Sequence, residues 1–406
     1  MKTEKAFIPI LGLLIGLTPL AIDMYLPSMP AIAAGLGASA EAVQQTLTVF
    51  LIAFSLPQLL FGPLSDALGR RPVIMLGLVL FVGGSLLCAM APGIGWLLAA
   101  RAVQAAGAAA IAVSVPALVK DRYSNEAFAR TMSFIMMVMA VAPLLAPLLG
   151  GLVLNFGSWR LVFGTLTLIA VIGLLLFCGS IPETLQRQKR TPLRIRPQLR
   201  NYRQLLCDRH AFCHMLSAGF MFAGMMAFVA ASPFVYIELY AVPAQYYGLL
   251  FGLNVLTLMS LSMLANRFIT LGSRRILTIA FGLIALVVVL LLSLSLLSRP
   301  PLAALVIASM LFIGTYGVIS AHTLSVVMNR FPAISGSVSA LGGTLRFGTG
   351  SFGGAAVGLL HDDSASAMTL AMAACGILAL LSFVCALQAA PARSTEAAKE
   401  EGCGGI

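Results

Sequence analysis

Apolar residues along the chain come in long blocks separated by short polar breaks, with no alternation of period two. Blocks such as Val73–Ala91, Leu161–Ile181 and Ile276–Leu297 are each about the length a helix needs to cross a hydrocarbon core of about 30 Å. Lipid offers the backbone no hydrogen-bond partner, so a spanning segment must be a helix or part of a closed barrel. A barrel needs short alternating strands, which these blocks are not. The pattern predicts twelve helices over 7–28, 43–65, 73–91, 96–118, 132–154 and 160–181, then 211–236, 246–266, 275–297, 301–322, 334–360 and 366–388. The first block, Ala6–Ile22, runs into Asp23 and a proline-rich turn without a small-residue cleavage site. It reads as a spanning helix and not as a leader.

Composition agrees with this reading: 60% of the 406 residues are hydrophobic and 10% charged, against about a quarter charged in a soluble domain. The longest polar stretch, Glu183–Arg209, divides the chain into near-equal parts. The expected domains are therefore a six-helix bundle over 1–182, a cytoplasmic linker over 183–210, a second six-helix bundle over 211–390 and a disordered cytoplasmic tail over 391–406. With the N-terminus inside, nearly all of the 25 Lys and Arg residues fall on the cytoplasmic side. The exceptions are Arg160 and Arg299 outside, and Arg101 and Arg346 within helices. This follows the positive-inside rule and places both termini in the cytoplasm. The net charge of +11 then implies attraction to anionic lipid, not to nucleic acid. The seven cysteines lack the paired spacing of a metal site, and no metal or cofactor is expected. His210, His214, His322 and His361 show no ligand spacing either.

The two parts echo each other weakly. Asp66-Ala-Leu-Gly69-Arg70-Arg71 follows the second block, and Asn266-Arg267 with Gly272-Ser-Arg274-Arg275 follows the eighth. Parallel six-helix repeats with a binding site between them are a transporter architecture. Neither HExxH nor Gly-x-Ser-x-Gly occurs, and no intramembrane carboxylates are paired, so an intramembrane enzyme is not expected. Rings of like charge and filter repeats, which a channel needs, are absent too.

Gly62-Pro-Leu-Ser-Asp66-Ala-Leu-Gly69-Arg70-Arg71-Pro resembles the loop signature of the major facilitator superfamily. Arg101-Ala-Val-Gln104-Ala-Ala-Gly107 resembles its fourth-helix element, and Ala142-Pro143-Leu-Leu-Ala-Pro147-Leu-Leu-Gly150-Gly151 its antiporter signature. Within the superfamily, Ile22-Asp23-Met24-Tyr25-Leu26-Pro27, Pro233-Phe-Val-Tyr-Ile-Glu238 and Gly343-Thr-Leu-Arg346-Phe-Gly are similar to the bicyclomycin and chloramphenicol resistance family. The resemblance implies a multi-pass bacterial inner-membrane exporter that expels small drug-like molecules in exchange for protons, drawing on the proton gradient. Export of a natural metabolite, with drugs transported incidentally, would use the same residues. A monomer is expected. The sequence departs from the pattern at Ala142 and Ala146, where glycine is usual, and carries an additional proline, Pro143. The second-half loop lacks a counterpart of Asp66.

An acid inside a spanning helix is rare and functional by default, so Asp23 is the candidate proton carrier, with capping of a helix end as the alternative. Arg101 falls at similar depth by helical rise. It is expected to pair with Asp23 in one state and release it in another, or else to anchor two helices statically. Tyr25, Gln104, Phe222, Met225 and Arg346 are the candidate substrate contacts. For Arg346 a structural bond to a backbone carbonyl stays open, and for Phe222 and Met225 a lipid-facing position does. Gly62, Asp66, Gly69, Arg70 and Arg71 form a candidate gate latch. Pro143, Pro147, Gly150 and Gly151 are expected to bend and closely pack the fifth spanning helix, as a proton seal or as a simple packing kink.

Overall fold

In the computed structural model the described residues are 2–123, 125–185, 188, 190, 195–297, 299–360 and 364–389; the expected disordered tail lies outside them. Apolar blocks become helices throughout, and no strand occurs among the described residues. The first is α1 (Lys2–Asp23), which stops at the candidate proton carrier. A 3-10 turn over Leu26–Ser28 and a short α2 (Met29–Leu36) complete the same crossing. The single helix expected over 7–28 is therefore interrupted. Pro27 and Pro30 open the turn and α2, where a missing N–H and a fixed φ are tolerated, and α1 does not continue through them.

The following crossings are α3 (Ala40–Leu68), α4 (Arg70–Ala89), α5 (Ile94–Arg122), α6 (Asn125–Leu154) and α7 (Arg160–Ser180). The polar stretch contains α8 (Ile195–Cys207), which the hydrophobic blocks did not announce. Its Leu205 is buried with Ala211, Met215, Val327, Val338 and Leu341, docking the linker helix against the second half. The chain continues through α9 (Arg209–Pro233), a π-helical turn over Phe234–Leu239, α10 (Ala244–Arg267), α11 (Ser273–Ser295), α12 (Leu302–Arg330), α13 (Ser335–Leu359) and α14 (Ser366–Ala389). Among the described residues, eleven helical segments are long and apolar enough to cross a membrane. The remaining long helix, α13, carries Arg346 and eight glycines within its span, and that lowers its hydropathy.

Helices α1, α3, α4, α5, α6 and α7 pack on one another, as do α9 to α14. The two groups meet where α3 lies against α13 and α6 against α10. Small residues allow the closest approaches: a Cβ added at Gly84 would lie 2.4 Å from the Gln104 backbone nitrogen, and one at Gly353 would lie 1.8 Å from the Ala223 carbonyl. Such contacts let helices associate in lipid, where no hydrophobic effect drives them together. Asp208 caps α9, accepting from the Ala211 amide at 2.8 Å and from the Arg330 guanidinium at 2.8 Å. Partial burial pushes the Asp208 carboxyl up, but Arg330 and the amide outweigh it and hold the group below the usual carboxylate range.

Candidate functional site

Between the two helix groups lies a cavity of about 260 Å³, whose lining includes Asp23, Pro143, Phe222, Met225, Tyr316 and Arg346. Five of these six are residues the sequence singles out. Asp23 enters at the end of α1, 5% exposed, with no hydrogen-bond or ion-pair partner among the described residues. Arg346 enters from α13, its guanidinium 4.8 Å from the Phe347 ring centroid and 5.6 Å from that of Phe222. Its Nε is buried and makes no hydrogen bond. Phe222 in turn lies 5.1 Å from Phe347 and 5.7 Å from Tyr316. The wall is thus aromatic and methionine-rich, which suits varied apolar ligands. Its polar groups are few. Asn254 on α10, which the sequence reading missed, is 1% exposed and leaves its Oδ1 unpartnered in the same wall. An asparagine inside an apolar block was the available signal.

Arg101 does not reach Asp23 in this structure. Fully buried, its Nη1 donates to the Ala21 carbonyl at 2.9 Å and to Gln104 Oε1 at 2.6 Å. Gln104 Nε2 donates onward to Ser85 Oγ at 2.8 Å. The guanidinium sits 4.3 Å from the Tyr25 ring centroid and 4.4 Å from that of Phe50, a desolvated cation–π arrangement. The expected Asp23–Arg101 pairing is absent here because the cation is already committed to a backbone carbonyl and a side-chain amide. Tyr25 and Gln104 consequently lie outside the cavity, in this buried cluster. The Tyr25 hydroxyl is 3.4 Å from Thr46 Oγ1. Together these contacts pin α1 two residues before Asp23 and brace the interruption that follows it.

The antiporter-type segment backs onto that same interruption. A Cβ at Gly150 would lie 1.8 Å from the Met24 carbonyl oxygen, and one at Gly151 would lie 2.9 Å from the Ala244 carbonyl at the start of α10. Pro143 and Pro147 lie within α6, Pro143 facing the cavity. One helix therefore touches the Asp23 turn, the cavity and the opposite half.

At the end of the molecule that the arginines assign to the cytoplasm, Arg70 Nη1 donates to Asp66 at 2.5 Å and Arg70 Nε to Asp121 at 2.8 Å. Glu183, just after α7, accepts from the Arg70 amide at 3.0 Å and the Arg71 amide at 3.2 Å. Gly69 makes the turn at φ +112°, a conformation that a Cβ disfavours. Gly62 lies one turn before Asp66 on α3, its Cβ position 3.6 Å from Val113. Asp66 has the cationic partner that its place at a helix C-terminus calls for. Asp121 of α5 and Glu183, the first residue of the linker, complete the network. Asp66, Arg70 and Asp121 border a cleft of about 610 Å³ whose other wall includes Tyr202 of α8 and Ser339 of α13.

A polytopic helical bundle with an amphiphilic cavity between two six-helix groups is the architecture of a secondary transporter. The chain belongs to the Major Facilitator Superfamily, which it matches over residues 11–354. It is 34% identical over 385 residues to a bicyclomycin resistance protein homolog of Haemophilus influenzae, covering 94% of this chain and 96% of that one. It is 31% identical over 255 residues to the multidrug transporter MdfA of Yersinia pestis, covering 61% of each. A peptide transporter solved with sulfate shares the fold at a TM-score of 0.74 and 16% identity, over 95% of this chain and 94% of that one.

Proposed function

We propose that this protein exports small drug-like molecules across the bacterial inner membrane in exchange for protons, with Asp23 as the proton carrier. The observation that carries the reading is that one acid and one cation, Asp23 and Arg346, face the same apolar cavity and neither has an ion-pair partner among the described residues. An uncompensated charge in such a place is costly, so either a ligand or a proton must relieve it. Ionised Asp23 accepts from donor groups of a substrate, while Arg346 donates to its carbonyl-type groups and the aromatic wall covers the remainder. Protonation from the outer side removes the negative charge and with it that hold on the substrate. Release, proton transfer inward and rebinding then close an exchange cycle. The names of the H. influenzae and Y. pestis relatives support drug substrates. A cavity built by one chain supports a monomer, and the proton gradient serves in place of any cofactor.

The test is transport in proteoliposomes with protein reconstituted in one orientation and an imposed pH gradient. Chloramphenicol and bicyclomycin are expected to accumulate against their gradients in wild type and to lose accumulation when an uncoupler is added. Asp23→Asn is expected to abolish accumulation. Accumulation that survives the uncoupler contradicts the proposal.

A further inference from the structure

Three separate spaces open in succession along α13. The cytoplasmic cleft is lined by Gly336, Ser337, Ser339 and Ala340, and the central cavity by Arg346 and Phe347. Between them lies a pocket of about 200 Å³ enclosed by α9, α12 and α13. It shares Ser339 with the cleft and Arg346 with the cavity. The seven helical steps from Ser339 to Arg346 rise about 10 Å along the helix. Gly342 and Gly343 keep this face of α13 low, and a Cβ at Gly342 would meet nothing within 4 Å.

The pocket has polar character that packing does not explain. Thr323 of α12 is 3% exposed, lines the pocket, and leaves its hydroxyl without a partner. Arg346 Nε, at the inner end, is likewise buried and unpartnered. Buried polar groups normally find partners, and two orphaned ones bordering one pocket point to a ligand group that visits it. Among the described lining residues, Arg346 is the only ionisable side chain and none is a carboxylate.

We infer that this pocket is an intake passage through the second half, by which substrate leaves the cytoplasmic cleft along α13 and passes Thr323 and Arg346 into the central cavity, and that it selects molecules presenting a hydrogen-bond acceptor or a negative charge. The direction of travel rests on the export reading; the charge selectivity does not. Thr323 and Arg346 are specificity residues in this account. They take a carbonyl, sulfonyl or carboxylate oxygen in turn, and a cation meets only like charge.

The test uses the intact chain in inside-out membrane vesicles, with cysteine placed by Thr323→Cys or, in a second variant, Gly342→Cys, where the added atoms meet open space. Each is labelled with a sulfonate-bearing or a trimethylammonium-bearing methanethiosulfonate and read by peptide mass, with exposed Cys207 in the same molecules as reference. Relative to Cys207, the introduced thiols are expected to favour the anionic reagent by about tenfold, the scale of one nearby charge at intermediate dielectric. Adding Arg346→Ala is expected to erase that preference. Labelled Gly342→Cys is expected to export chloramphenicol several-fold more slowly than the unlabelled variant. Thiols unreactive towards both reagents, reaction without charge preference, or labelling that leaves export unchanged each overturn the inference. A wild type that exports nothing, with the labelling pattern intact, defeats the export reading and leaves the anion-selective passage standing.

Discussion

Replacing Gly150 with alanine tests whether the α6 contact with the Asp23 turn matters to transport. The new Cβ would lie 1.8 Å from the Met24 carbonyl oxygen, 2.9 Å from its carbon and 3.2 Å from Pro27 Cγ. Ordinary contact begins at 3.4 Å, so the two backbones must separate by about 1.6 Å. Neither side yields easily. Met24 is held by its amide to the Leu20 carbonyl at 3.0 Å, and Arg101 grips Ala21 just before it. Overpacking of this kind costs about 1–3 kcal/mol, which a folded membrane protein can survive. Misplacing a reacting group by about 1 Å, by contrast, is worth about 100-fold in rate, and Asp23 is the residue adjacent to the displaced carbonyl. Gly150→Ala is therefore expected to remain folded in detergent, with a lowered melting midpoint, and to lose about two orders of magnitude in the initial rate of proton-driven uptake into proteoliposomes. Gly164→Ala, at a site where a Cβ meets nothing within 4 Å, serves as the control and is expected to transport like wild type. A Gly150→Ala rate within twofold of wild type refutes the reasoning.

Arg101→Lys keeps the charge but cannot donate to Ala21 and Gln104 while lying flat between Tyr25 and Phe50; a loss of about 3 kcal/mol is expected. It is read as a lower thermal midpoint in detergent, and an unchanged midpoint contradicts the bracing role. Gly69→Ala combines φ +112° with a Cβ 2.3 Å from Glu183 Oε2, so Glu183 is expected to leave the Arg70 and Arg71 amides. The expected cost is about 2–3 kcal/mol, and hydrogen exchange at those amides should rise; unchanged protection counts against the network. The Asp208–Arg330 pair carries a pH signature. The folded Asp208 carboxyl sits below its usual range, so its stabilisation is fully present above the unfolded value of about 3.9 and is lost as pH falls through the lowered folded value. Wild type should melt higher than Arg330→Ala at neutral pH, with the gap narrowing as pH falls below the unfolded value of about 3.9; a constant gap contradicts the assignment.

The helices were legible because lipid leaves a spanning backbone only one open-ended solution, and every expected apolar block is helical. Asp23, Phe222, Met225 and Arg346 were legible as cavity residues because charge and soft side chains stand out in an apolar span. Other features were not. The break after Asp23 is enforced by two prolines acting together with a turn, and hydropathy runs smoothly across it. The partner of Arg101 is a backbone carbonyl, which sequence does not mark, and that commitment draws Tyr25 and Gln104 away from the cavity. Asp121 and Glu183 join the Asp66–Arg70 network from 51 and 113 positions beyond Arg70, a distance only folding closes. Helix α8 escaped because its face is polar and its apolar contacts lie in other helices.

The central claim is that Asp23 exchanges a proton for substrate, and drug-triggered proton release measures this most directly. Purified wild type and Asp23→Asn are titrated with bicyclomycin in weakly buffered detergent near neutral pH, with binding followed separately. Wild type is expected to release protons on binding, and Asp23→Asn to bind without release. Equal proton release from both places the carrier at another residue and contradicts the account.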